Sequence, residues 1–173
     1  MATRTPEHAA DAATSTATNQ EQHVVIFRLA DEYYALDIQA VQEIVRMQPI
    51  TSIPGSDAWV EGITNLRGRV VPVIDLRRRC GVRDSEPTVE MRIVVVSSPS
   101  GLVGLIVDAV SEVMRIPSEQ VEPPSTIVSV PENTYLRGIA KLEDRLVSLM
   151  DLEGVLPSTG MPSGQEDARE LAA

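Results

Sequence analysis

Apolar residues along this chain come in short runs broken by turn-forming residues, a pattern of strands rather than helices. Val24-Val25-Ile26-Phe27 is followed by Ala30-Asp31-Glu32 and then Tyr34-Ala35-Leu36, which predicts strand, turn, strand. Gly62 to Leu66, the pair Arg67-Gly68, and Arg69 to Ile74 predict a hairpin with a two-residue turn. Met91 to Val96 and Leu102 to Val107 flank a loop at Ser97 to Gly101, and Leu136 to Leu142 and Leu146 to Met150 flank Glu143-Asp144-Arg145. Helical spacing is confined to Ile38, Val41 and Ile44 and to Val107, Val110 and Met114, each enough for a turn or two. The residues before 23 and after 157 lack periodicity and read as flexible tails.

The pattern also repeats. The run from Ala35 to Val45 matches the run from Gly104 to Met114 at an offset of 69, and Pro54 falls on Pro123. Gly62 to Leu76 matches Gly138 to Leu152 at an offset of 76, so the extra residues make Ser125 to Leu136 an extended loop. Two blocks of short strands predict a mainly all-β fold of two small five-stranded barrels in tandem, at 23–84 and 85–157, joined by the polar stretch Gly81 to Glu90. Positions common to both blocks, such as Gly62/Gly138, Leu66/Leu142, Arg69/Arg145 and Asp75/Asp151, belong to the shared fold. Positions that differ are free to specialise.

Composition narrows the function. Hydrophobic residues are 43% of the chain, mostly Val, Ile and Leu, so a core exists and strands suit it. A net charge of −10 and only 3% aromatics weigh against nucleic acid and anionic membranes as partners. The longest apolar stretch, Ile93 to Val107, is broken at Ser97 to Gly101 and does not read as a span, so no direct membrane insertion is expected. Met1 to Gln22 has no apolar core and carries Glu7 and Asp11, so it does not read as a signal peptide, and a cytoplasmic protein is expected.

Catalytic chemistry is thin. The two histidines, His8 and His23, sit in no metal-ligand spacing, and there is no phosphate loop, dinucleotide fingerprint or nucleophile elbow. No catalytic residue, metal or cofactor is therefore expected. Cys80 follows Arg77-Arg78-Arg79, yet it reads better as a small packed hydrophobe than as an activated thiolate, and the arginines read as a solvated helix face. Asp75 and Asp151 read as N-caps of short helices, with Gly81 closing the first. Trp59 fits core or a half-exposed interface equally. In Asn65-Leu66-Arg67-Gly68, spacing alone favours a turn in which Gly68 supplies a positive φ and Arg67 is solvated.

Val41-Gln-Glu-Ile, the run from Gly62 to Arg77, Gly104 to Val113 and Tyr135-Leu-Arg-Gly together resemble the CheW family of chemotaxis adaptors, from about Val24 to Leu156. The resemblance implies two intertwined SH3-like barrels, no catalysis, and a largely monomeric scaffold. Its implied partners are the cytoplasmic hairpin tip of a chemoreceptor and the regulatory domain of a CheA-type histidine kinase. It implies functional roles for Glu43 and Arg67, which would form an ion pair at the hairpin. The block around that arginine adds Gly62, Asn65, Leu66 and Gly68. A hydrophobic groove near the barrel junction, implied as the receptor contact, nominates Val41, Ile44 and Val113. In the second block Glu112 and Glu143 occupy the paired positions, so the same pair is not expected there. A CheW-like scaffold serving surface motility or biofilm control is the alternative within this class.

Overall fold

β1 (Glu21–Leu29) and β2 (Glu32–Asp37) form the first hairpin, and a 3-10 turn at Ile38–Ala40 leads into β3 (Val41–Arg46). β4 (Val60–Leu66), β5 (Arg69–Asp75) and the four-residue helix α1 (Leu76–Arg79) complete the first block. The second runs β6 (Arg92–Ser98), β7 (Gly101–Val107), β8 (Ala109–Pro117), β9 (Val121–Glu122), β10 (Leu136–Lys141), β11 (Leu146–Met150) and α2 (Leu152–Val155). This computed structural model describes residues 20–82, 86–123 and 135–156. Most of the predicted long loop Ser125 to Leu136, the predicted tail after 157 and residues 1–19 lie outside them; the end of the predicted N-terminal tail does not, since Glu21 and Gln22 are strand residues paired with Pro117 and Ile116 of β8.

The strands form two sheets, a five-stranded one in the order β3-β6-β7-β5-β4 and a six-stranded one in the order β8-β1-β2-β11-β10-β9. By the repeat, β6 and β7 stand for β1 and β2, β8 for β3, β10 for β4 and β11 for β5. The two orders are then the same, down to the parallel pairings of β5 with β7 and of β11 with β2. Each sheet therefore takes its first two strands from one block and the rest from the other. The division at 84/85 does not match the sheets: β1 and β2 leave the first block to pair with β8 and β11. A repeat reveals equivalent strands, but hydrogen-bond partners are chosen in three dimensions. Both sheets curl closed by the same device. The run from β8 to β9 joins opposite ends of one strand order, and the chain beyond β3 reaches β4 through the Thr51–Ile63 bridge.

Three apolar clusters fill the molecule. Val24, Ile26, Ile116, Val147 and Leu149 fill the inside of the six-stranded sheet, and Val71, Val73, Ile93, Val95 and Ile106 that of the five-stranded one. Between the sheets lies the largest cluster, with Phe27, Leu29, Leu36, Ile74, Leu76, Val94, Leu105 and Met150. Each such side chain contributes roughly 1.5–3 kcal/mol when fully buried, so the two halves are bound to each other by core, not by a linker.

The helical spacing at Val41/Ile44 and Val107/Val110/Met114 is not helical in the structure; only Ile38–Ala40 turns, and β3 and β8 are strands. A bulge explains it. Residue 42 is an extra residue between Val41, opposite Val96, and Glu43, opposite Val95, so Val41 and Ile44 share a face three residues apart. The same bulge at 111 puts Val110 and Val113 on one face of β8.

Candidate functional site

The β4–β5 turn consists of Arg67 at φ 51° and Gly68 at φ 81°. Positive φ at both central residues is the type I′ geometry that matches strand twist, and it favours Asn or Gly at both positions. Asn65 holds the turn closed, its Oδ1 accepting the Gly68 N–H at 3.0 Å. Arg67, a side chain with a Cβ, pays roughly 1–2 kcal/mol for the left-handed region. Its Nη2 lies 3.1 Å from Glu43 Oε2 on β3, with the arginine side chain 83% exposed and the glutamate 26%. An exposed pair of this kind contributes about 0–1 kcal/mol. The pair does not offset the strain, so stability does not account for an arginine at this position.

The sequence-nominated residues do not gather on one surface. Glu43 stands opposite Val95, on the face of β3 that turns toward the inside of the five-stranded sheet, and meets Arg67 of the turn there, whereas Ile44 is exposed on the other face, which it shares with Val41, half-buried against the core between the sheets. Leu66 is unavailable to a partner: it is 9% exposed and packs inside the five-stranded sheet. Gly62 is required by the fold, since at φ 147° an added Cβ would meet the Thr51 carbonyl oxygen at 2.0 Å. Val113, 49% exposed, lies on the other sheet at the position equivalent to Ile44, itself 38% exposed.

The second block carries a different ion pair at this place, one that the acidic positions 112 and 143 did not suggest. Glu112 pairs with Arg145, the counterpart of Arg69, from the far side of the turn. Arg145 also lies over the Tyr33 ring at 4.6 Å. Its buried Nε makes no hydrogen bond and sits 3.8 Å from Asp144 Oδ1.

The three arginines of α1 do not form a solvated face. Asp75 caps α1, its Oδ1 accepting the Arg77 N–H at 3.0 Å, and the Arg77 guanidinium returns to grip the same carboxylate at 3.1 and 2.9 Å. Arg77 Nη1 then reaches Asp108 at 3.1 Å, where the chain passes from β7 to β8, and Asp108 also accepts the Ala30 N–H at 2.6 Å. All three ionic side chains are buried, because a four-residue helix packed on the β7 end has no outer face long enough for three arginines. Arg78 pairs with Glu61. Arg79 covers Trp59, which is half-buried at the core's edge, and donates to the Val155 carbonyl at the end of α2. Gly81 closes α1 at φ 71°, with Gly81 N–H to Arg78 O and Val82 N–H to Arg77 O. Asp151 caps α2 in the same way as Asp75, accepting from Glu153 N–H at 3.2 Å.

Burial pushes the Cys80 thiol up to about 12, against a smaller opposing pull from Arg79, so it is a protonated packing group at neutral pH. Among the described residues no cluster of His, Cys, Asp or Glu could hold a metal ion, and no helix is long and apolar enough to cross a membrane.

Sequence reasoning missed a cleft of about 590 Å³ at the junction of the sheets, floored by Leu36, Met150 and Leu156 and rimmed by Asp37, Arg137 and Glu153. Val41, Ile44 and Val113 do not line it. Of its lining residues, Arg137 lies inside the Tyr135-Leu-Arg-Gly motif and Asp151 reads in the sequence only as a helix cap.

Comparison with known proteins agrees with this architecture. The CheW-like domain family matches residues 23–160. The chemotaxis protein CheW of Rhizobium meliloti is 38% identical over 141 residues, covering 82% of this chain and 91% of that protein. CheW of Klebsiella aerogenes is 37% identical over 143 residues, covering 81% and 84%. The crystal structure of the scaffolding protein TtCheW from Thermoanaerobacter tengcongensis superimposes with a TM-score of 0.75 at 36% identity, covering 83% of this chain and 99% of that one. By sequence and by fold alike, the chain belongs to the CheW-like family.

Proposed function

We propose that this protein is a non-catalytic cytoplasmic adaptor that couples the hairpin tip of a chemoreceptor to the regulatory domain of a CheA-type histidine kinase in chemotaxis signalling. The protein alone is largely monomeric, and its single contacts are modest, with avidity supplied by the array. Arg67 carries the reading: an exposed arginine held in a strained turn, tied to Glu43 by a pair too weak to justify the strain. Local rules are broken in this way where a surface is shaped for a partner. Ile44, exposed on the other face of β3, supplies an apolar contact, and charged groups at the rim set orientation more than affinity.

The test is receptor-dependent kinase activation reconstituted with purified components. Arg67→Ala and Glu43→Ala should each stay folded and lose coupling, and the double variant should lose no more than either single one, as a shared interaction requires. Full coupling with Arg67→Ala would end this reading.

A further inference from the structure

At the far end of the β3–β6 pair, Arg46 and Arg92 stand directly opposite each other. Like charges at such cross-strand positions destabilise a sheet. Arg92 Nη1 donates only to backbone, to the carbonyls of Val89 and Met91, both at 2.8 Å. Among the described residues neither guanidinium meets a carboxylate, and the neighbouring Glu90 is committed to Arg28 at 3.4 Å. In a chain of net charge −10, two arginines left together without an acid are a local exception.

Apolar surface surrounds them. Arg46, Met47, Val89, Met91 and Arg92 border a recess of about 470 Å³ with Thr88. Val89 is 92% exposed and Met47 38%, whereas most valines and methionines among the described residues are at least half-buried. A methionine adapts to varied apolar partners, and a guanidinium takes a carboxylate with two parallel hydrogen bonds.

We infer that this recess docks an acidic segment of a partner protein that carries an apolar side chain, with its carboxylates on Arg46 and Arg92 and its apolar group against Met47 and Val89. Charge complementarity favours it, because the segment would supply the acid that the sheet itself lacks. An anionic membrane is the poorer occupant, since the chain's overall charge repels it. The inference is independent of the receptor–kinase reading and lies on different residues, so either can fail alone.

The probe is a capped peptide of two leucines flanked on each side by three acidic residues, titrated into the ¹⁵N-labelled full chain. Amide shifts should concentrate at Arg46, Met47, Val89, Met91 and Arg92 and shrink as salt rises. Arg46→Glu, at an exposed side chain that holds no other part of the fold, should weaken binding at least about tenfold, while Arg46→Lys should stay within about threefold. Three outcomes would overturn the inference: no binding at millimolar peptide, shifts centred elsewhere, or equal binding by Arg46→Glu. Flotation with phosphatidylglycerol vesicles that depends on Arg46 would overturn it in favour of a lipid surface.

Discussion

The two blocks of this chain solve the same geometric problem with different charges. Each has a bulged strand with a glutamate on it, a hairpin beside it, and a short helix capped by an aspartate. In the second block the hairpin arginine is Arg145, half-buried on Tyr33, and the turn residues Glu143 and Asp144 keep ordinary negative φ. In the first block the counterpart Arg69 is exposed, and the arginine that pairs with the bulged strand's glutamate is Arg67 at the turn tip, exposed and strained. The helices differ in the opposite sense. α1 sends Arg77 inward to a buried pair of aspartates, whereas α2 has the exposed Glu153 at the equivalent position. The first block thus puts one arginine where it stabilises and another where it does not, and the second uses its hairpin arginine for packing. The difference separates arginines that support the fold from one that does not.

The largest effect should come from Arg77. Arg77→Ala leaves Asp75 and Asp108 buried without their cation and should lower unfolding free energy by about 3–5 kcal/mol, whereas Glu153→Ala should stay within about 0.5 kcal/mol. Denaturant titration of both variants checks this, and equal effects would dissolve the contrast between the helices.

The glycine pair comes next. Gly62→Ala drives a Cβ into the Thr51 carbonyl oxygen at a positive φ, and about 2–4 kcal/mol of stability should be lost. Gly138→Ala meets the Val121 methyl at 2.9 Å and the Glu122 carbonyl oxygen at 3.0 Å, without the dihedral strain. Thermal unfolding should therefore rank Gly62→Ala clearly below Gly138→Ala.

The two hairpin arginines should change stability with opposite signs. Arg145→Ala removes a stacked, half-buried side chain and should cost about 1–2 kcal/mol. Arg67→Asn relieves the left-handed strain and should raise stability by up to about 1 kcal/mol while abolishing receptor-dependent kinase activation. A destabilised Arg67→Asn variant would show that Arg67 belongs to the framework after all.

The effect confined to alkaline pH is the slope of stability set by Cys80, which vanishes at neutral pH. Its thiol holds its proton up to about 12 in the folded state and to its ordinary value of 9.0 when unfolded. Between those values the unfolded chain binds fewer protons, so stability is full below about 9 and falls as pH rises through the window. Cys80→Ala should flatten that decline, measured by urea midpoints at pH 8 and pH 10. Wild-type alkylation by iodoacetamide at pH 8 should be slow until the chain is unfolded.

Much of this molecule was determined locally, and the sequence carries it in the open. Short runs of Val and Ile broken by turn residues set the strands, Arg67-Gly68 set a tight turn, and Asp75, Asp151 and Gly81 set where short helices begin and end, because each acts on backbone within a few residues of itself. The internal repeat likewise specified two equivalent sheets. Tertiary structure alone decided which strands fill each sheet, since an apolar run records that a segment is buried and not against what. It also decided the bulges at 42 and 111, whose three-residue spacing imitates a helix, and the burial of Arg77, whose partner Asp108 is 31 residues away. The strain at Arg67 belongs to the same group: a turn type is legible in Gly68, but its disagreement with the arginine beside it exists only once the backbone has closed.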